Sequence, residues 1–284
     1  MIRSFLITIF LVGIATTLLA QRFGKTLKDT PGIVSYTYRN SFQKDVAATL
    51  DTIKALGITN IEFSNLFGKT AVELRKLLDD RGMKCTSFGT GYDDLMNQPK
   101  QAGENAKVLG ASFVRVAWIP HDNKIPFTID NAKKAVADFN TVGKLLKDEF
   151  GLMFCYHNHG YEFVQYENGT LFDYIVNNTN LDYVSFEIDI LWVAHPGKDP
   201  AALIKKYPKR FKLMHVKDLR KGVEGNFSGG TPVENDVAVG SGQIDIPAVL
   251  KAARKSAIQN YYIEDESPSI KIQVPQSLAY LKKL

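Results

Sequence analysis

Four stretches of the sequence place ionisable side chains at the end of an apolar segment. They are His157-Asn158-His159, Glu187-Ile188-Asp189, His215-Val216-Lys217-Asp218 and Glu264-Asp265-Glu266. Burying such groups costs free energy unless each is paired or bound to a cation. A lone acidic residue at a strand end is usually a helix cap or an ion-pair partner, but four such stretches together indicate one shared divalent metal ion. Carboxylate and neutral imidazole ligands suit Mn, Co, Mg, Fe or Zn, and an all-oxygen calcium cage fits less well with His215 present.

The elements that would position these side chains alternate regularly along the chain. Short β-type runs are predicted at 33–38, 60–64, 84–89, 113–119, 152–157, 183–190, 212–216 and 261–264. Helices are predicted at 46–56, 71–81, 105–109, 129–149, 171–177, 200–206, 246–256 and 276–283. Glycines such as Gly57 and Gly151 follow several helices, because glycine tolerates the left-handed turn at a helix end. This βαβα pattern indicates a parallel sheet covered by helices.

The pattern predicts an α/β fold, a single-domain (β/α)8 TIM barrel over residues 21–284. Without residues 1–20, 264 of the 284 residues remain, close to the roughly 250 residues typical of this barrel. A doubly wound open sheet would normally carry a glycine-rich phosphate loop after its first strand, and Tyr36-Thr37-Tyr38-Arg39-Asn40 is not such a loop. A closed barrel gathers the carboxyl ends of its strands into one active site. A long loop, 221–239, follows the seventh predicted strand on that face.

The N-terminus has the pattern of a signal peptide over residues 1–20. Arg3 supplies a positive charge, an apolar run extends from Phe5 to Ala20, and polar sequence begins at Gln21. A membrane anchor is the alternative, but the run is shorter than the roughly 20 residues of a spanning helix. We therefore expect a periplasmic or secreted protein with no membrane contact after cleavage.

The net charge and the two cysteines of the chain argue against several classes of function. The 35 basic and 30 acidic residues give a net charge of +5, and the basic residues are scattered, which argues against nucleic acid as a partner. Cys85 and Cys155 lack the spacing of a metal cluster or a disulfide framework, so we expect buried thiols. A homo-oligomer is compatible with the sequence.

Several motifs near the predicted strand ends occur together in one known superfamily. They are the run Tyr156-His157-Asn158-His159-Gly160-Tyr161-Glu162-Phe163, Glu187-Ile188-Asp189 with Trp192 and His195-Pro196-Gly197, His215-Val216-Lys217-Asp218, and Gly240-Ser241-Gly242-Gln243-Ile244-Asp245. With them the chain resembles the xylose isomerase-like barrel superfamily, known as sugar phosphate isomerases and epimerases. The resemblance covers essentially the whole chain after residue 20. Each motif alone would be weak, and their order makes the set fairly specific.

The resemblance implies one metal held by Glu, Asp, His and Glu from strands five to eight. Carried over by position, three of these ligands are Asp189, His215 and Glu264. The fifth strand departs from the pattern, because His157-Asn158-His159 stands where the family has Glu-x-His. Either His157 itself is the ligand or Glu162 reaches back from the following loop. We favour Glu162, which would keep three carboxylates around the ion.

The resemblance also implies a metal-dependent sugar isomerase or epimerase that works through an enediolate. We expect Glu162 and Glu264 to transfer protons with help from His159, and Lys217 to contact a developing oxyanion. Equally, His159 could orient a metal ligand, and Lys217 could pair with Asp218 or Glu187.

The expected substrate is a small carbohydrate. Export and the missing phosphate loop favour a non-phosphorylated sugar or keto-sugar. Trp118, Trp192, Tyr36 and Phe88 could form an apolar platform for it beside Glu62, although aromatic residues near a barrel mouth are often core. The alternatives are a metal-dependent lyase or hydrolase of 3-keto-glycosides and a barrel that binds carbohydrate without turnover.

Overall fold

Eight parallel strands close into a barrel in chain order, as predicted. The structure, a computed structural model, describes residues 23–27, 29–122 and 124–284, so the predicted signal peptide lies outside the described residues. The barrel strands β1 to β8 are Gly32–Val34, Asn60–Phe63, Lys84–Gly89, Phe113–Val116, Met153–His157, Val184–Asp189, Phe211–Val216 and Asn260–Ile263. In the described part of the chain, no helix is both long and apolar enough to cross a membrane.

Helices cover the outside of the barrel. They are α1 to α11, at Arg39–Phe42, Val46–Ala55, Ala71–Asp79, Tyr92–Asn97, Pro99–Leu109, Ile129–Phe150, Leu171–Asn178, Ile190–Ala194, Pro200–Lys206, Ile246–Ala253 and Ile270–Lys283. The longest, α6, agrees with the predicted helix to within one residue. Its ends explain the agreement: the Thr128 side chain caps the first turn, and Gly151 ends the helix with φ +67°.

The predicted elements were wrong where the chain turns at the carboxyl end of a strand. Strand β1 ends at Val34 and continues as a 3-10 helix, Ser35–Tyr38, which leaves Tyr36 exposed. The predicted sixth strand was one residue too long at its carboxyl end, because the Asp189 side chain accepts a hydrogen bond from the Trp192 N–H and starts α8. Helix α4 and a short hairpin, Gln165–Tyr166 with Gly169–Thr170, were not predicted.

The barrel interior changes from apolar to ionic along its axis. A small buried cluster of Phe113, Cys155, Leu213 and Tyr262 is separate from the main core, which lies between the strands and the helices. Both cysteines are free and buried, as predicted. The next side chains toward the carboxyl ends of β4 and β6 are charged, Arg115 and Glu187, and both are buried. The apolar layer therefore closes the barrel below a layer of buried charge.

Asp218 links the seventh strand to the segment 240–245. Its carboxylate accepts hydrogen bonds of 2.9–3.1 Å from the backbone N–H groups of Leu219, Gly240, Gly242 and Ile244. A Cβ at Gly242 would lie 2.2 Å from Asp218 Oδ1, so only glycine fits there. Asp218 is therefore an anchor for the loop that leads into α10.

We predict that Asp218→Ala lowers the free energy of unfolding by at least about 3 kcal/mol, because it leaves several partly buried N–H groups without an acceptor. Asp245→Ala removes one helix cap bond, to the Ala248 N–H, and serves as the control with a loss of about 1 kcal/mol. Urea unfolding measures both. Equal losses for the two variants would contradict the anchoring role.

Candidate metal centre

Four side chains from consecutive strands meet at the carboxyl end of the barrel. His157 and Asp189 are the last residues of β5 and β6, His215 lies one residue before the end of β7, and Glu264 directly follows β8. Each offers one ligand atom, and these four atoms lie within 4.8 Å of one another. All four residues are buried.

The spacing of these atoms fits a small cation. His215 Nδ1 lies 3.0 Å from His157 Nε2, 2.9 Å from Glu264 Oε2 and 3.8 Å from Asp189 Oδ2. Ligand atoms about 2.1 Å from a tetrahedral ion lie about 3.4 Å apart. Among the residues that the structure describes, none donates a hydrogen bond to the buried Asp189 Oδ2, whereas Oδ1 caps α8. An orphaned carboxylate oxygen next to two imidazoles and a second carboxylate matches the donor set of zinc and related ions.

A second buried group lies behind His215. His215 Nε2 lies 2.8 Å from Glu62 Oε1 and 3.1 Å from Glu187 Oε2. Arg115 Nε lies 2.8 Å from the same Glu62 oxygen and 3.4 Å from Glu187 Oε2. The guanidinium therefore contributes a positive charge between two carboxylates.

The charges at the centre shift several pKa values. Burial alone raises the pKa of Glu62, but Arg115 and His215 outweigh burial and lower it to about 2. Burial and the negative charge of Glu62 raise the pKa of Glu187. For Asp189, Lys217 and the two histidines overcome burial and lower the pKa below its usual range. Glu62 and Asp189 are therefore ionised at neutral pH.

A cavity of about 470 Å³ opens above the four ligand atoms. His157, His215 and Glu264 line it together with the aromatic rings of Tyr36, Tyr92, Trp118 and Trp192. Residues 229–231 of the long loop after β7 complete the wall. The cavity thus combines a polar group of ligand atoms with aromatic walls, which suits the polar edges and C–H faces of a sugar ring.

His159 is the histidine of the cavity that lies outside the four-residue group. Its ring stacks against Trp192, with the centroids 5.5 Å apart, and meets Trp118 edge-on. Burial and the neighbouring His157 lower the pKa of His159 well below its usual value, so the ring is neutral. Nδ1 is buried and has no hydrogen-bond partner among the described residues, and the ring as a whole contributes to the cavity wall.

Comparison with known proteins identifies the family. Residues 50–284 match the model of the family described as xylose isomerase-like TIM barrel. The chain belongs to this family. Inosose dehydratase from Lacticaseibacillus casei is 24% identical in a 240-residue alignment that covers 75% of this chain and 79% of that protein.

Solved structures of xylose isomerase-like barrels share the fold. A sugar phosphate isomerase/epimerase from Parabacteroides distasonis has a TM-score of 0.72 and 24% identity, covering 90% of this chain and 96% of that one. The IOLI protein with a bound zinc atom has a TM-score of 0.69 and 16% identity, over 89% and 96%. The 3-keto-D-glucoside 4-epimerase of E. coli has a TM-score of 0.63 and 16% identity, over 89% and 98%.

The structure corrects the preference for Glu162 as the fifth-strand ligand of this xylose isomerase-like barrel. The Glu162 carboxylate accepts hydrogen bonds from the Tyr156 hydroxyl and from the N–H groups of His159 and Gly160. Burial raises the pKa of Glu162 to about 7. Glu162 neither lines the cavity nor belongs to the four-residue group, in which His157 takes the fifth-strand position. Its carboxylate instead accepts the hydrogen bonds that hold the turn after β5, away from the cavity where proton transfer was expected.

Lys217 also differs from the expectation. It is buried and its Nζ lies 2.8 Å from Glu266, 3.3 Å from Glu264 and 3.4 Å from Asp236, so it contacts carboxylates and does not line the cavity. The alternative partners, Asp218 and Glu187, were wrong as well. Lys217 holds Glu264 in place from behind.

Three of the five residues that were predicted to contact the substrate lie beside the cavity, and two do not. Trp118, Trp192 and Tyr36 line the cavity. Phe88 is 4% exposed and packs in the core, and Glu62 is fully buried against His215 and Arg115, so neither can touch a substrate.

Sequence reasoning missed Arg115 and Asp236, and it gave no separate role to Glu266; all three line the cavity. A signal for Arg115 existed, because it is an isolated charge in the apolar run Phe113-Val114-Arg115-Val116. Asp236 lies in the long loop after β7, where no periodic pattern marks a buried position.

We predict that zinc stabilises the wild type by about 2.7 kcal/mol at an ion concentration one hundred times the dissociation constant. Asp189→Asn should abolish this gain, because it removes a charged ligand while the amide oxygen can still cap α8. Thermal unfolding with zinc and with chelator measures the effect. Glu162→Gln is the control and should keep the gain. A zinc-dependent gain in Asp189→Asn that equals the wild-type gain would refute the proposed ligand set.

Proposed function

We propose that the protein is a metal-dependent isomerase or epimerase of a non-phosphorylated sugar or keto-sugar. The observation that carries the proposal is the group of His157, Asp189, His215 and Glu264, which faces a cavity with aromatic walls. A divalent ion, when bound there, would stabilise the negative charge that develops on neighbouring carbonyl and hydroxyl oxygens of a substrate. The proteins named 3-keto-D-glucoside 4-epimerase and IOLI with a bound zinc atom support this reading.

His159 is the proton acceptor in this proposal. Its neutral ring lines the cavity, so the imidazole can remove a proton from the carbon beside a carbonyl group. Trp118 and Trp192 both contact the imidazole and limit its orientation. Glu264 stays a ligand, because Lys217 and His215 compensate its charge.

The charges of the side chains that line the cavity favour a neutral substrate. Among the described residues, Arg115 is the lysine or arginine that lines it, and Glu62 and Glu187 already lie beside its Nε. A phosphate group normally requires uncompensated cations or a helix N-terminus. The cavity therefore suits hydroxyl and carbonyl groups better than phosphate.

Elimination of water is the second candidate, and the relatives named inosose dehydratase favour it. Loss of the same proton can be followed by departure of a neighbouring hydroxyl group. The two reactions share their first step and differ in product mass, so mass spectrometry of the product separates them.

We predict that the protein exchanges one carbon-bound proton of a suitable keto-sugar with deuterated water and that a chelator stops the exchange. A panel of neutral keto-sugars, cyclitol ketones and keto-glycosides, followed by proton NMR, measures this exchange.

His159→Asn should slow the exchange about 10²- to 10⁴-fold with unchanged zinc affinity, since His159 is not among the four ligands. His121→Asn, which changes a histidine outside the cavity lining, is the matched control. Exchange in His159→Asn at the wild-type rate would exclude His159 as the acceptor, and binding without exchange would favour a non-catalytic carbohydrate-binding barrel.

We also propose that the protein is exported, because the apolar run before Gln21 has the pattern of a signal peptide. Export agrees with a neutral substrate, since sugar phosphates are mostly cytoplasmic. Expression in a bacterial host with its secretion system should yield a periplasmic or secreted chain that begins at Gln21. Mass spectrometry of the N-terminal peptide measures this, and an uncleaved chain in the cytoplasm would contradict export.

A further inference from the structure

Glu62 neither lines the cavity nor belongs to the four candidate ligands of the metal centre. It is fully buried in β2, and one of its oxygens, Oε1, lies 2.8 Å from both His215 Nε2 and Arg115 Nε. The four-residue group uses the other nitrogen of His215, Nδ1. Glu62 therefore contacts the far side of a candidate metal ligand.

We propose that Glu62 is a positioning residue that fixes which nitrogen of His215 binds the metal, with Arg115 as a built-in cation in place of a second ion. The Glu62 oxygen lies within hydrogen-bond distance of His215 Nε2, so it is placed to accept the proton of that nitrogen when a metal ion takes the lone pair of Nδ1. The proton on Nε2 leaves the lone pair for Nδ1, which faces His157, Asp189 and Glu264. The proposal rests on the metal centre described above.

The surroundings of Arg115 support its part in the arrangement. Glu62, Glu187 and His215 alone have the spacing of a second metal site. Arg115 Nε, however, lies 2.8 Å and 3.4 Å from the two carboxylates, where a second cation would otherwise be attracted. Gly89 at the end of β3 makes room, because a Cβ there would lie 2.6 Å from Arg115 Nη2. The missing side chain at Gly89, on the neighbouring strand, therefore leaves the space that the guanidinium of Arg115 fills.

The alternative is that these residues only stabilise the barrel. Removing one partner of a buried ionic group is destabilising whatever its function, so loss of stability cannot distinguish the two roles. A positioning role makes two further demands. Metal affinity must depend on the acceptor at residue 62, and the proton on His215 Nε2 must be protected from solvent when metal is bound.

The test compares wild type, Glu62→Gln, Glu62→Leu and the control Asp173→Asn. Asp173 pairs with Lys206 and Tyr207 outside the barrel, so its variant removes a charge far from the centre. Competition with a chromophoric chelator measures zinc affinity. We expect affinity to fall about tenfold in Glu62→Gln, which keeps an acceptor, and about 100-fold in Glu62→Leu, which does not. Asp173→Asn should bind zinc as the wild type does, with one ion per chain.

A second readout follows the proton itself. In the cobalt-substituted wild type, proton NMR should show a strongly shifted imidazole N–H that exchanges slowly with solvent, and Glu62→Leu should lose this signal or exchange it rapidly. Unchanged zinc affinity in both Glu62 variants, an unchanged signal, or two zinc ions per chain would overturn the proposal. If Glu62→Leu does not fold, Glu62→Gln decides by affinity. Neither readout needs a substrate, so both remain informative if no keto-sugar reacts.

Discussion

The concentration of buried charge at the carboxyl end of the barrel is the constraint on which the rest of the site depends. Glu62, Glu187, Asp189 and Glu264 are all buried within one small volume. Such a group is unfavourable unless positive charge lies among the carboxylates. Arg115 supplies part of that charge from below and Lys217 supplies part from the side. In the proposed metal centre, a divalent cation beside His215 would complete the compensation.

The barrel brings the opposite charges together because side chains from alternate strands lie in the same layer of its interior. Glu62, Arg115 and Glu187 come from β2, β4 and β6, and alternate strands fill one layer of a barrel interior. Such layers are normally apolar, as Phe113 and Tyr262 are in the layer below. The change from apolar to ionic therefore separates the part of the barrel that maintains stability from the part that can bind and react.

The sequence was sufficient for the barrel and for the convergence of three candidate ligands, because both depend on patterns along the chain. Strand alternation defines the closed sheet, and Asp189, His215 and Glu264 occupy strand ends that must converge. The fifth-strand ligand could not be decided in this way. Whether His157 or Glu162 faces the ion depends on how the turn after β5 folds, and that turn is held by the bonds from Glu162 to backbone N–H groups. The positions of Lys217 and Phe88 outside the cavity lining could not be predicted for a related reason: spacing shows that a residue lies near a strand end, but not toward which side it points.

Binding of one divalent ion between four named atoms can be measured in crystals grown with zinc, from the X-ray anomalous difference density. We expect one strong peak about 2.1 Å from His157 Nε2, Asp189 Oδ2, His215 Nδ1 and Glu264 Oε2. A fully occupied peak elsewhere in the molecule, or no peak among these atoms at saturating zinc, would contradict it.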